Sequence, residues 1–184
     1  MTRAELEHAI RAACDVAQDN EVYVFGSQSI LGQFPDAPAE LRQSAEADIA
    51  PVHAVDMVNV IDANLGELSR FHQAYGFYVH GVGIDAAILP GGWQRRAIAV
   101  RNANTNDATG WCLEVHDLAA SKLVAWRDKD RDFVRTLLAK GLVKPRKLLL
   151  RIDQLPEREW VPDEHRTRMR NWVSGILRDL GRAS

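Results

Sequence analysis

Five residues have the types and spacing to do chemistry together. They are Glu46 and Asp48 in AEADIAP, Asp85 in HGVGIDAAILP, and Gly26-Ser27 in VFGSQS. Residues two apart on a strand share a face, so Glu46-x-Asp48 predicts two carboxylates side by side, with Cα atoms roughly 6–7 Å apart. Ala47 and Ile49 then point the other way. Neighbouring like charges repel and lose hydration. A divalent cation relieves both costs, and carboxylate oxygens suit Mg²⁺ or Mn²⁺. Asp85 stands among Val82, Ile84, Ala86 and Ile88, which predicts a lone charge in an apolar strand. An unpaired buried carboxylate is costly, and a metal shared with Glu46 and Asp48 would answer that cost. Two cations roughly 3.5–4 Å apart would clamp the attacking and leaving oxygens of an in-line displacement. Gly26 lets the backbone approach a phosphate, a following helix N-terminus favours an anion, and Ser27 adds a hydroxyl donor. Each feature has an ordinary alternative: an acidic strand edge in water, or a glycine that only turns the chain.

These groups need elements to hold them. Thr2 is placed to cap a helix from about Arg3 to Gln18, with Leu6, Ala9, Ile10, Ala13 and Ala17 on one face. Glu21–Phe25 reads as a strand, Gln28–Gly32 as the start of a helix, and 34–43 as a loop with Pro35 and Pro38. Ala45–Val52 carries the acid pair as a second strand. Asp56–Ala74 has a helical pattern with Val60, Ile61, Leu65 and Leu68 as its apolar stripe. Phe77–Leu89 is a strand region bent at Gly81 and Gly83, Pro90-Gly91-Gly92 is a turn, and Gln94–Arg101 and Gly110–Val115 are further strands. From His116 on the pattern is helical: Asp117 to about Asp128, Lys129–Lys140 with Gly141 at the C-terminal cap, Pro145–Asp153, and Asp163 to about Leu180. The order predicts an α+β or α/β fold with a helical tail.

Composition narrows the function classes. The 184-residue chain suits one domain, or one domain with an extension. Its N-terminus has no apolar stretch of signal-peptide length, and no segment approaches a membrane span, so a cytoplasmic protein is expected. Cys14 and Cys112 fit two buried thiols, not a disulfide framework or a zinc site. The six histidines show no metal-type spacing; His80, next to Gly81, reads as structural or as support for Asp85. The five tryptophans (93, 111, 126, 160 and 172) form no stacking platform and default to core or half-buried roles. The net charge of -2 hides an asymmetry: residues 1–118 carry 7 basic and 16 acidic side chains, residues 119–184 carry 16 basic and 9 acidic ones. An acidic half suits a metal, and a basic one suits triphosphate or nucleic acid, although solvated helices carry charge without any partner.

A strand, Gly26-Ser27, a helix, a strand with Glu46-x-Asp48 and a later third acid at Asp85 together resemble the nucleotidyltransferase superfamily of DNA polymerase β and the small bacterial minimal nucleotidyltransferases. The segment HDLAASKLVAWRDKDRDFVRTLLAKGLV resembles the helical part of small bacterial nucleotidyltransferase-like proteins related to AbiEii-type toxins of toxin–antitoxin systems. The resemblance covers roughly residues 21–143. It implies a mixed-sheet nucleotidyltransferase core over 1–115 with helices on its face, and a C-terminal helical region over 116–184 packing on that core. It also implies Mg²⁺ or Mn²⁺ at Glu46, Asp48 and Asp85, an NTP substrate held at Gly26, Ser27 and Lys122, and Asp130 completing the site. Asp85 would also orient or deprotonate the acceptor. The implied acceptor is a hydroxyl of RNA, with tRNA one choice, or of protein; the implied setting is toxin–antitoxin or defence, with a cognate antitoxin or toxin as partner and no membrane. Without the resemblance, Lys122 reads as a snorkelling lysine beside an apolar stripe, and the alternation of Asp128, Asp130 and Asp132 with Arg127, Lys129 and Arg131 as a self-paired helix face. Two features depart from the family pattern: Glu46 stands where Asp is usual, and the Ser27–Glu46 gap is long. They leave open a changed substrate, or a catalytically inactive binding module that keeps the fold.

Overall fold

Thr2 begins the first helix by a reciprocal cap. Its side chain accepts the Glu5 N–H, and the Glu5 carboxylate accepts the Thr2 N–H at 2.6 Å. Both donors would otherwise be orphaned. The computed structural model describes residues 1–159 and 161–182; Trp160 lies outside them. Helix α1 (Arg3–Ala17) buries Leu6, Ala9, Ile10, Ala13 and Ala17, the face its periodicity predicts.

Five strands follow: β1 (Glu21–Phe25), β2 (Glu46–Pro51), β3 (Tyr78–Gly81), β4 (Ile98–Val100) and β5 (Thr109–Cys112). They form one mixed sheet in the order β3-β2-β1-β5-β4. β1 runs antiparallel to β2 and parallel to β5; β2 and β3 are parallel, β4 and β5 antiparallel. Val22, Val24, Ala47, Ile49 and Val79 are fully buried in this sheet. With its helices the sheet is an α+β fold, as the element order predicts.

Three expected elements are shorter than their patterns. The helix expected over 56–74 breaks into α3 (Val58–Leu65) and α4 (Arg70–Tyr75), the latter capped by Ser69. Between them Leu68 adopts a left-handed φ of 65° and is 79% exposed, and Val60 is exposed too, so of the expected stripe only Ile61 and Leu65 are buried. The strand expected over 77–89 stops at Gly81. A Cβ there would lie 2.2 Å from the Val58 carbonyl oxygen, so glycine lets α3 close on the strand end. The strand expected over 94–101 shrinks to β4, because Trp93–Arg96 forms a 3₁₀ turn.

The chain divides into two compact units. The first takes in Met1–Ala87 and Gln94–Glu114 and holds the sheet. The second takes in Ile88–Trp93 and Val115–Ser184 and holds α5 (Val115–Ala125), α6 (Asp128–Ala139), α7 (Pro145–Asp153) and α8 (Asp163–Arg182), with a short 4-residue α2 (Ile30–Gln33) left to the first. Within the second unit Leu118, Leu123, Val134, Leu137, Leu148, Ile152, Met169 and Val173 form the core. Trp126, at a left-handed φ of 54°, turns the chain from α5 into α6. Among the described residues no helix is long and apolar enough to cross a membrane.

Candidate functional site

β1 ends at Phe25, which pairs in register with Asp48 on β2. The next residue, Gly26, has φ 63° and ψ -168°, a region essentially reserved for glycine. A Cβ at Gly26 would sit 2.0 Å from Asp48 Oδ2, so the absent side chain is the space the carboxylate uses. The Ser29 hydroxyl donates to the Gly26 carbonyl at 2.9 Å and fixes the turn. Ser27–Ser29 is a 3₁₀ turn running into α2, in place of the regular helix expected from Gln28. So short a segment carries little macrodipole, and Ser27 at its start is half-buried. The adjacent Gln28 is fully buried, and neither atom of its amide has a hydrogen-bond partner.

On β2, Glu46 and Asp48 share a face. The parallel register sets Tyr78 opposite Glu46 and His80 opposite Asp48. His80 Nδ1 lies 3.2 Å from Glu46 Oε1 and 3.3 Å from Asp48 Oδ1. One ligand atom from each of the three lies within 4.8 Å of the others. Their side chains are 36%, 29% and 49% exposed in the order Glu46, Asp48, His80. Burial, and then the charges of Glu46, Glu67 and Asp48, push the nearby Tyr78 phenol above its usual range.

Asp85 is elsewhere than expected. After Val82 donates a last hydrogen bond to the Ile49 carbonyl at 3.0 Å, the chain turns, and the Ala86 N–H closes on the Gly83 carbonyl at 3.0 Å. Asp85 stands in this turn and is exposed, not on an apolar strand. It therefore carries no burial cost for a metal to relieve, and it lies outside the three-residue ligand group found among the described residues.

In the second unit Lys122 and Asp130 meet: Nζ lies 3.0 Å from Asp130 Oδ1. Arg127 Nε donates to Oδ2 of the same carboxylate at 2.5 Å. Burial alone would raise the Asp130 pKa, but the Arg127 hydrogen bond and the Lys122 charge hold it below the usual range. Asp128 and Asp132 are exposed and pair with Arg131 and Arg135, as the self-paired reading expects; Asp130 departs from it by being buried. A second buried pair joins Asp117 to Arg151 at 3.1 Å, which lies off hydrogen-bond geometry at Nε.

A family described as "Nucleotidyltransferase of unknown function (DUF6036)" matches residues 4–172. The chain belongs to that family. No curated protein and no solved structure compared with it matches.

Of the residues expected at the site, Gly26 adjoins Asp48, and Glu46 shares with Asp48 the face that meets His80. The sequence reading undervalued His80. Strand alternation sets Tyr78 and His80 on one face, but which strand they lie beside depends on the parallel β2–β3 pairing across α3 and α4, which has no local signature. Two other buried acids serve the frame. Asp19 accepts the His53 N–H at 2.7 Å and the Ala54 N–H at 3.1 Å; burial pushes its pKa up, but the hydrogen bonds from His53 and the backbone win and bring it to about 2. Glu7 is held by Asn102, Asn104 and Arg3. Cys14 and Cys112 are buried free thiols pushed up to about 12, chiefly by desolvation, and are unreactive at neutral pH.

Proposed function

We propose that the protein is a metal-dependent nucleotidyltransferase that moves a nucleoside monophosphate from an NTP to a hydroxyl of RNA or protein. In that reaction the acceptor oxygen bonds to the α-phosphorus, the bond from that phosphorus to the bridging oxygen breaks, pyrophosphate leaves, and the hydroxyl proton passes to base or solvent. One observation carries the reading: the Asp48 carboxylate packs into the space that a side chain at Gly26 would fill, so the phosphate-type turn and the metal-type acids adjoin. The family membership supports the same class of chemistry.

The donor set fits a divalent cation. Glu46 and Asp48 offer oxygens from one face of one strand, half in water, where an ion can enter. A cation held there would neutralise triphosphate and leaving-group charge. The chain itself supplies position: Gly26 makes room for the Asp48 carboxylate, Ser27 next to it carries a hydroxyl for a phosphate, and β1 and β2 keep the turn in fixed register with Asp48. By the resemblance alone, Lys122 would add a triphosphate contact and Asp130 would complete the site, and the setting would be a toxin–antitoxin or defence module.

A second reading, a binding module that keeps the fold without catalysis, is favoured by the position of Asp85 in an exposed turn. Incubation with Mg²⁺ or Mn²⁺ and each labelled NTP, beside total RNA and cell protein, separates the two. Label transfer that disappears in Asp48→Ala supports the enzyme; nucleotide binding with no transfer under either metal supports the module.

A further inference from the structure

We propose that His80 is a direct ligand of the cation held by Glu46 and Asp48, and that the ion preferred is a transition cation of the Mn²⁺ class over Mg²⁺. This rests on the reading above for the place of the site, and it goes beyond that reading in the ligand set and the metal. The acid pair by itself would take a hard cation; a third ligand that is an imidazole nitrogen changes the selectivity.

The geometry argues for ligation. An ion with bonds of about 2.1 Å sets its neighbouring ligand atoms about 3.0 Å apart in an octahedron and about 3.4 Å apart in a tetrahedron. His80 Nδ1 stands 3.2 Å from Glu46 Oε1 and 3.3 Å from Asp48 Oδ1, between those two spacings. The two oxygens of Asp48 divide their contacts: Oδ2 packs on Gly26, and Oδ1 faces His80. That division orients the carboxylate from behind and leaves Oδ1 on the imidazole side. His80 is fixed by the ladder of β3 on β2 and by Gly81, where any side chain would strike the Val58 carbonyl. The three candidate ligand atoms stand on two paired strands within 4.8 Å of one another, and the half-exposed face leaves further positions to water or phosphate oxygens.

The chemistry then sets the metal. Mg²⁺ demands oxygen ligands in near-ideal octahedral array and is a poor partner for imidazole. Mn²⁺ shares the carboxylate preference of Mg²⁺ and stands lowest in the transition-metal order, but being less strict in geometry and a transition ion it accepts one imidazole beside two carboxylates more readily than Mg²⁺ does. Asp85 lies outside this three-residue group, so His80 stands as the third ligand where Asp85 was expected.

The competing role for His80 is that of a hydrogen-bond partner that merely balances two acids. Removing such a partner would leave cation binding unchanged or tighter, whereas removing a ligand weakens it. The test is Mn²⁺ binding to the full chain without nucleotide, followed by electron paramagnetic resonance, for wild type, His80→Ala, His80→Gln, Asp48→Ala and Asp85→Ala, each checked for fold by circular dichroism. Expected are nitrogen hyperfine coupling to bound Mn²⁺ in the wild type, its loss in both His80 variants with Mn²⁺ affinity lowered on the order of tenfold or more, no change in Asp85→Ala, and displacement by Mg²⁺ only at large excess. No Mn²⁺ binding, Mn²⁺ bound without nitrogen coupling, equal or tighter binding in His80→Ala, or displacement by equal Mg²⁺ overturns the proposal. Mn²⁺ lost in Asp48→Ala but without nitrogen coupling would leave the nucleotidyl-transfer reading standing. Nitrogen-coupled Mn²⁺ with no label transfer would instead sink that reading and leave the ion site.

Discussion

Carboxylates are handled in opposite ways in the two units of this protein. On the sheet, Glu46 and Asp48 stand together, part in water, with a single imidazole between them. In the helical unit, Asp130 is buried with a lysine on one oxygen and an arginine on the other, and Asp117 is buried against Arg151. The second arrangement is closed: each negative charge is met at short range, as low dielectric requires. The first is half-exposed, with two like charges drawn together beside one strand and an imidazole facing both, the arrangement that the proposed cation site would use.

The contrast can be broken first at Asp48. Asp48→Ala is expected to cut label transfer by at least on the order of 10²–10³-fold, with the melting temperature unchanged or higher, since a like charge has been removed. A large fall in melting temperature would make Asp48 a strut after all. The reverse holds for Asp130. Asp130→Ala is expected to lower unfolding stability by about 3 kcal/mol, because it breaks the ion pairs that a 1% exposed carboxylate makes with Lys122 and Arg127. Lys122→Met combined with Asp130→Leu should recover most of that loss in urea unfolding, and failure to do so would give the pair a role beyond neutrality.

Gly26→Ala tests whether the open site depends on its backbone. About 1–3 kcal/mol of strain is expected from the backbone region alone, with Mn²⁺ affinity falling as the Asp48 carboxylate is displaced. Unchanged Mn²⁺ affinity in a folded Gly26→Ala protein would separate turn from metal. The smallest effect concerns Asp19, a buried acid served by backbone N–H groups. Its pKa falls from 3.8 to about 2 on folding, so it contributes about 2 kcal/mol above pH 4, lost as the pH drops toward 2. His53 works the other way. Its pKa is raised above 6.5, chiefly by the hydrogen bond with Asp19, so its contribution is complete below 6.5 and fades as the pH rises through the folded value. Urea midpoints against pH should therefore form a plateau between about pH 4 and 6.5, with the acid limb flattened in Asp19→Asn.

What was legible in the sequence follows from range. α1, β1 and α7 were readable almost to the residue, because Thr2, the alternation of 21–25 and Pro145 act locally. Glu46-x-Asp48 was readable because a period of two needs only one strand. The break at 66–69 was not: Ile61 and Leu65 find a partner surface, whereas Val60 and Leu68 continue the same period and find water. Asp85 misled for a related reason. Its apolar neighbours suggested a strand, but Gly83 supplies a turn and the sheet ends at Gly81. His80 meets Glu46 at 3.2 Å and Asp48 at 3.3 Å, across more than 30 residues of chain, and Asp130 is buried against Lys122 on the preceding helix. Spacing alone carries no record of such meetings.

Gly26 has a last consequence for how this protein tolerates change. Because Asp48 occupies the volume where residue 26 would otherwise have a side chain, neither position has slack of its own. A longer acid at 48 presses on the turn, and a methyl at 26 evicts the acid. Positions 26 and 48 must therefore drift together or not at all, and on the function proposed above that couples the turn meant for the nucleotide to the acid meant for the cation.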